Sequence, residues 1–461
     1  MKILIIAYYF PPYNTIGAVR TGKMAKYLER MGHDVRVISA RDQPLQPTLH
    51  LEIPEEKVLY THWLNINRLA QSLAGGKHKV AENGYEVSIR PGFRQNMIRF
   101  IGKMYKNILN FPDGQIGWIP FAYRAGKKTI DTWKPDLIYA SSTPYSSLIT
   151  AARLSRKHGI PWMAELRDLW VDHQYYHYGR IRKKLESWVE KKTLESATAL
   201  VTVSEPLAEK LRARYNIPVQ VIRNGFDPED YEPAVSRERS PNLDLVYTGM
   251  VYDGKQDISP LLKAIRLLKD QDIPVRLYMY GKYLDKIRQS AAHFGVSEQV
   301  KVSGSVGYKE ALRLQTEADI LLLLLWTDRQ EKGIYTGKLF EYIGSRRPIL
   351  AVGPGENVAA DLIRELGAGF IAHEEEKIVQ QLKRWFLEKK EFGTIQAPSG
   401  NAGHLSRESQ ACQLSEFLKR LTGEWHERFT RPADGMALMA SSVFMADDAF
   451  KCRCIYRTGS I

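Results

Sequence analysis

Residues 1–39 read MKILIIAYYFPPYNTIGAVRTGKMAKYLERMGHDVRVIS and predict a strand, a helix and a second strand. The apolar run at 2–9 is typical of a buried strand, and 34–39 begins the next one. Between them, 18–31 has apolar residues at helical spacing, and Gly32 ends the helix. A strand–helix–strand unit of this kind favours a doubly wound parallel sheet.

The same alternation fills most of the chain. Further strands and helices are predicted at 136–140, 145–157, 161–165, 199–203 and 219–222, then at 243–248, 258–269, 275–280, 300–303, 320–325 and 348–352. Prolines and charges between the two series indicate a linker. We therefore predict an α/β chain with two Rossmann-like doubly wound parallel-sheet domains, 1–227 and 243–400, joined by 228–242, with a cleft between them. A helix at 401–422 could pack back on the first domain, and the tail 431–461 is poorly patterned.

Length and composition agree with a globular protein of two domains. The 461 residues are 44% hydrophobic and 26% charged. Three cysteines, all near the C-terminal end, indicate a reducing compartment such as the cytoplasm. The apolar start is too short for a signal peptide, and no apolar run is long enough for a membrane span.

The net charge of +14 favours anionic partners. Such a charge is expected of a protein that binds phosphorylated ligands or an acidic lipid surface. It is equally expected of a protein whose solvated exterior is simply basic. No zinc-finger spacing or RNA-binding signature accompanies the charge, so nucleic acid is not an expected partner.

Four stretches resemble the retaining glycosyltransferases of the GT-B fold, in the family 4-like group that builds polysaccharides and glycolipids. They are YYFPP, GAVR and GHDV at 8–12, 17–20 and 32–35; NGFD at 224–227; YTG at 247–249 with Lys255; and TGKLFEY at 336–342 with Arg347-Pro348. The match spans roughly 1–422. The resemblance implies transfer of a sugar with retention from a nucleotide-diphosphate sugar, expected to be UDP-linked, to a saccharide or lipid-linked saccharide.

A leaving diphosphate needs positive charge where its own negative charge develops. Gly17 and Gly249 follow strands and could let a phosphate approach backbone amides at a helix start. Both could equally be ordinary turn glycines. No aspartate-rich metal motif is present, so we expect no metal and no cofactor; lysines and helix ends would take that place.

The resemblance assigns Lys255 a catalytic role against the diphosphate. The family usually also has an arginine directly after the glycine, where this chain has Met250. Arg347 and Lys338 are candidates to replace the missing cation.

The family pattern of two glutamates separated by seven residues is half kept. Glu341 fits the second place, and a carboxylate there can accept both hydroxyls of the donor ribose. The first place is Gly333, so Glu331 is the candidate for contact with the donor sugar, the alternative being a solvated side chain. Gly333 and Thr336 could instead offer backbone amides to phosphate at the start of the next helix.

The acceptor side is predicted from strand ends that face the cleft. Ser142 follows one strand, and Glu165, Arg167 and Asp168 end the next. Asp168 or Glu165 could orient or deprotonate the acceptor hydroxyl, and a salt bridge or capping role is the alternative. Asn224-Gly225 is interpreted as a hinge turn.

Residues 97–109 form an amphipathic pattern with basic side chains. It fits a helix packed inside the fold or one lying on an anionic membrane, which would make the protein peripheral to the inner membrane face.

Two other functions remain open at this point: a nucleotide-sugar 2-epimerase, which needs no acceptor, and a non-catalytic nucleotide-sugar binder. A dehydrogenase is disfavoured because no Gly-x-Gly-x-x-Gly follows the first strand.

Overall fold

A computed structural model describes residues 1–67, 110–172, 176, 178–232, 240–328 and 331–430, with the side chains of 424–430 left out. The first sheet, in what we call the N-terminal lobe, has seven parallel strands. They are β1 (Lys2–Ile6), β2 (Asp34–Ala40), β3 (Val58–Thr61), β4 (Leu137–Ser142), β5 (Trp162–Leu166), β6 (Ala199–Thr202) and β7 (Val219–Val221). Their order is β3-β2-β1-β4-β5-β6-β7. Successive strands are therefore added to one side of β1 up to β3 and to its other side from β4 onward.

Helices cover both faces of this sheet. They are α1 (Ile16–Arg30), α2 (Ile119–Trp133), α3 (Ser146–His158), α4 (Arg180–Leu194) and α5 (Glu205–Arg214). Ile3 and Ile5 pack on the face covered by α1. Leu4 and Ile6 point to the opposite face, into a core shared with α2, α3 and α4. Strand β1 is apolar on both sides because both faces of a parallel sheet are covered.

The second sheet, in the C-terminal lobe, has six parallel strands. They are β8 (Leu243–Thr248), β9 (Val275–Tyr280), β10 (Val300–Ser303), β11 (Ile320–Leu324), β12 (Ile349–Val352) and β13 (Gly369–Ala372), in the order β10-β9-β8-β11-β12-β13. The helices are α6 (Ser259–Lys269), α7 (Asp285–His293), α8 (Tyr308–Glu317), α9 (Gly337–Gly344), α10 (Val358–Glu365) and α11 (Glu375–Phe392). The predicted fold class, two doubly wound parallel sheets, is confirmed.

The last helix, α12 (Arg407–Thr430), returns to the N-terminal lobe. Leu414 and Leu418 share the core of Ile3 and Ile5, and His33 Nε2 lies 2.7 Å from Ser415 Oγ. The two lobes are therefore linked by the chain near residue 226 and again by α12.

Local signals explain the bounds of α1. The helix begins at Ile16, two residues before the predicted start, because the Thr15 hydroxyl accepts a hydrogen bond from the Ala18 amide at 3.0 Å and caps it. The amphipathic pattern at 97–109 and the tail 431–461 lie outside the described residues. Among the helices that are described, none is both long and apolar enough to span a bilayer.

Candidate functional site

The first turns of α1 and α9 face each other across the two lobes. A Cβ placed on Gly337, the first residue of α9, would lie 3.2 Å from the Ile16 side chain. Backbone amides at a helix start have no partner within the helix and carry a partial positive charge. Two such ends meeting in one cleft form a region suited to an anion.

Arg167 adds a full positive charge beside α1. A Cβ on Gly17 would come within 2.8 Å of the Arg167 guanidinium, so only glycine leaves this space. The side chain is held by the ends of β4, since its Nε donates to the Ser142 carbonyl at 2.6 Å and a terminal nitrogen donates to the Thr143 carbonyl at 3.2 Å. Gly17 and Arg167, both predicted for the site, therefore contact each other.

Lys338 supplies the positive charge on the C-terminal lobe. Its Nζ lies 3.8 Å from the centre of the Tyr247 ring and donates to the Tyr247 hydroxyl at 2.6 Å. A Cβ on Gly249 would be 3.2 Å from this ammonium, and Gly249 has a φ of 116°, which favours glycine. Burial lowers the pKa of Lys338 to about 7, against the opposing effect of Glu341.

Glu341 lies one turn along α9 from Lys338. Its Oε2 accepts a hydrogen bond from Gln315 Nε2 at 3.1 Å, and Gln315 also donates to the Thr248 hydroxyl at 2.8 Å. Burial raises the pKa of Glu341, while Gln315, Lys338 and Arg407 act in the opposite direction. This partly buried carboxylate is fixed at the carboxyl end of β8 and can accept further hydrogen bonds.

Lys255 and Glu331 come from two adjoining loops. The Lys255 carbonyl accepts hydrogen bonds from the Thr327 amide and hydroxyl, at 2.9 and 3.1 Å, which ties the loop after β8 to the loop after β11. Burial raises the pKa of Glu331, and the charges of Lys210 and Lys255 oppose the shift. Lys255 and Glu331, two separately predicted residues, therefore lie close enough to interact electrostatically.

Gly333 lies at a contact between the lobes. Its carbonyl accepts a hydrogen bond from Ser204 Oγ at 2.8 Å, and a Cβ would meet Pro206 at 3.2 Å. Gly333 is buried there, and its amide contact with phosphate stays a prediction. Thr336, just before α9, has a buried hydroxyl without a hydrogen-bond partner among the described residues.

Two family models match the chain along most of its length. Glycosyltransferase Family 4 matches residues 17–230, and Glycosyl transferases group 1 matches residues 242–387. The chain belongs to the family 4-like glycosyltransferases. No curated protein matches this glycosyltransferase by sequence.

Solved structures share its two-lobed architecture. Sucrose-phosphate synthase from Thermosynechococcus elongatus superposes with a TM-score of 0.56 at 14% identity, over 92% of this chain and 100% of that one. Anabaena HepE in complex with UDP gives 0.53 at 14% identity, over 93% and 100%. A glycosyltransferase from Rickettsia africae gives 0.50 at 13% identity, over 93% and 97%. These matches establish the GT-B fold.

The residues predicted for the acceptor side differ in their exposure to solvent. Ser142 is fully buried, and its hydroxyl donates to the Glu165 carbonyl at 3.0 Å. Glu165 is also fully buried; its Oε1 accepts from Arg20 Nε at 2.9 Å and its Oε2 from Ser141 at 2.6 Å. These contacts lower the pKa of Glu165 against the effect of burial. The geometry favours the salt-bridge role of Glu165, because both oxygens are occupied and solvent is excluded.

Asp168 is the carboxylate of this segment that reaches solvent, at the carboxyl end of β5. Its assignment to the acceptor hydroxyl stays a prediction, as does the sugar contact of Glu331.

Sequence reasoning missed a buried polar junction between the lobes. Arg20 donates to the Asn224 side chain at 3.0 Å and to the carbonyls of Ile222 and Arg223 at 2.9 and 2.8 Å. Arg407, from the start of α12, reaches the same Asn224 oxygen at 3.4 Å. The predicted hinge turn at Asn224-Gly225 is thus tied to α1 and to the start of α12. The arginine of the GAVR stretch was the available signal, but its partners are distant in sequence.

A cluster of three acidic residues has the spacing of metal ligands. Among the described residues, Glu52, Asp227 and Asp230 offer oxygens within 4.8 Å of one another. Lys23 Nζ lies 2.7 Å from Asp227 and 2.6 Å from Asp230, and Lys26 Nζ lies 2.8 Å from Asp227. Lysine ammoniums already balance these carboxylates, so the cluster acts as an ion-pair network.

Proposed function

We propose that this glycosyltransferase takes its sugar from a nucleotide-diphosphate sugar, with UDP as the nucleotide, and binds the diphosphate between the starts of α1 and α9. The observation that supports this most strongly is that the Arg167 guanidinium lies against Gly17 and the Ile16 side chain lies against Gly337, the residue before Lys338. Arg167 is the basic residue next to α1, and Lys338 is the basic residue in the first turn of α9. Anabaena HepE, which shares the fold, has structures with UDP and with UDP-glucose.

The residues of the C-terminal lobe have separate roles in this proposal. Lys338 neutralises the charge that develops on the leaving diphosphate, from the position beside Gly249 where the family arginine is replaced by Met250. Lys255 approaches the diphosphate from the loop after β8. The Glu341 carboxylate accepts hydrogen bonds from the two ribose hydroxyls. Arg347 is less suited to the cation's role, because its Nε donates to the Thr316 carbonyl at 2.7 Å.

The transfer proceeds with retention and without a metal ion. The incoming hydroxyl of a saccharide or lipid-linked saccharide attacks on the face from which the diphosphate departs. A phosphate oxygen of the leaving group receives the proton, while the anomeric carbon exchanges its bond to phosphate oxygen for one to the acceptor oxygen. Lysine and the two helix starts take the place of a divalent ion. We place this reaction in surface polysaccharide or glycolipid assembly, on the cytoplasmic side of a membrane.

Titration of UDP into the purified protein tests the donor site. We expect Glu341→Gln to weaken UDP binding about tenfold to a hundredfold, since a charge-assisted hydrogen bond contributes roughly 1.5–3 kcal/mol. Glu356→Gln, an exposed carboxylate of the same lobe, is the matched control and should leave binding unchanged. Equal affinity of the Glu341→Gln variant and the wild type would contradict the ribose contact.

A panel of nucleotide sugars with and without saccharide acceptors tests the reaction. We expect consumption of the donor to depend on the acceptor and to persist in excess EDTA. Release of an epimerised nucleotide sugar from donor alone would contradict the transfer.

A further inference from the structure

Helix α4 presents a row of large apolar side chains to solvent. Ile181, Leu185 and Trp188 are 81%, 54% and 62% exposed. Their spacing of four and three residues aligns them along one side of the helix. A continuous row of exposed apolar side chains marks a surface that a membrane or another molecule covers.

The charges on the same helix are separated by sign. Its two glutamates, Glu186 and Glu190, are each 2% exposed; Glu186 accepts from Arg182 Nε at 2.6 Å and Glu190 from the Tyr215 hydroxyl at 2.9 Å. The exposed charged residues of α4 are all basic: Arg180, Lys183, Lys184, Lys191 and Lys192. The exposed side of α4 therefore carries an apolar row flanked by basic side chains. Two exposed carboxylates next to the helix pair with its lysines: Asp172 lies 3.1 Å from Lys183 Nζ, and Glu195 lies 3.7 Å from Lys191 Nζ.

A groove between α3 and α4 extends this surface. It encloses about 370 Å³; its floor includes Ile149 and Val189, and Arg153, Arg156 and Trp188 also line it. An Arg156 guanidinium nitrogen donates to the Lys192 carbonyl at 2.8 Å, which fixes the two helices to each other. Exposed basic residues continue onto the neighbouring helices: Arg124, Lys127 and Lys128 on α2, and Arg153, Arg156 and Lys157 on α3.

The position of α4 relates this surface to the cleft. Because α4 leads into the start of β6, its own first residues lie at the edge of the sheet where the parallel strands end. The same edge carries Arg167. The apolar row thus begins at Ile181 on the same side of the lobe as the proposed diphosphate site.

We propose that the surface of Ile181, Leu185 and Trp188 with the surrounding basic side chains, called here the α4 surface, binds an anionic lipid bilayer. The apolar side chains enter the boundary between headgroups and acyl chains, and the lysines and arginines contact lipid phosphates. Nucleic acid would use the charges but leave the apolar row in water. The binding needs no catalysis, so it stands or falls separately from the transfer reaction.

Co-sedimentation with vesicles tests the proposal on the full-length protein. We expect binding to vesicles of phosphatidylcholine with 30% phosphatidylglycerol in 0.1 M NaCl, and at least tenfold weaker binding to phosphatidylcholine alone or in 0.5 M NaCl. The triple variant Ile181→Ser, Leu185→Ser, Trp188→Ser should bind the anionic vesicles at least tenfold more weakly. The matched control, Leu387→Ser with Phe392→Ser, removes side chains that are 61% and 64% exposed on α11 and should bind like the wild type.

Removal of lysine charges from α4 tests the proposal independently. Lys184→Gln, Lys191→Gln and Lys192→Gln together should weaken binding about a hundredfold at low salt and flatten its salt dependence. Unchanged vesicle binding in either triple variant would overturn the proposal, as would an equal loss in the α11 control. A dimer in vesicle-free solution that the Ile181, Leu185 and Trp188 variant dissociates would also overturn it, because a second copy would then cover the row. Transfer activity on a dissolved acceptor should be retained in both variants.

Discussion

We expect UDP binding to depend on pH, because burial lowers the pKa of Lys338. Its pKa of about 7 means that much of the side chain is uncharged in the free protein above neutral pH. A diphosphate beside the amine favours the ammonium, so binding takes up a proton. About a quarter of the amines are charged at pH 7.5 and about 3% at pH 8.5, which predicts a roughly eightfold loss of UDP affinity between them.

Isothermal titration calorimetry in buffers of different ionisation enthalpy measures both quantities. We expect uptake of close to one proton per UDP at pH 8. Lys338→Arg is the control, because a guanidinium stays charged throughout this range and should give affinity nearly independent of pH. A wild-type affinity without pH dependence, or the same slope in the arginine variant, would refute the assignment of the diphosphate to Lys338.

Three further changes test the cleft and its support. Lys338→Met should raise the free energy of unfolding at pH 6 by about 1–2 kcal/mol, measured by urea titration. This gain should shrink by pH 9, because the lowered pKa of Lys338 makes the wild type more stable as the pH rises above 7. Gly17→Ala places a Cβ 2.8 Å from the Arg167 guanidinium and should reduce transfer at least tenfold with little change in melting temperature. Gly179→Ala, which has open space around it, should leave transfer unchanged. Equal effects of the two substitutions on transfer would argue against a ligand at Gly17. Glu165→Gln leaves Arg20 buried without a charge partner and should cost about 3–5 kcal/mol of stability by urea denaturation, whereas a loss below 1 kcal/mol would contradict the structural role.

The sheets could be predicted from the sequence because buried parallel strands leave a strong local signal. Strand β8 (Leu243–Thr248) and strand β9 (Val275–Tyr280) have the bounds that were predicted. Short apolar runs between amphipathic helices define such elements without reference to distant residues.

The arrangement of the candidate site could be predicted only where its residues belong to one segment of the chain. Lys338 and Glu341 belong to one helix, so their proximity follows from sequence spacing. Glu165 lies 145 residues from Arg20, and Gly333 lies 129 residues from the Ser204 hydroxyl that it binds. The first contact joins two elements of the N-terminal lobe and the second joins the two lobes, and no local pattern encodes either. The sequence also did not predict that the Lys338 ammonium lies over the Tyr247 ring, because these two residues are far apart in the chain.

A crystal structure of the protein with UDP tests the central claim most directly. We predict that the diphosphate lies between Gly17 and Gly337, with an oxygen within about 3 Å of Lys338 Nζ and the ribose hydroxyls on the Glu341 carboxylate. A diphosphate bound away from the starts of α1 and α9, with Lys338 still directed only at Tyr247, would contradict the account.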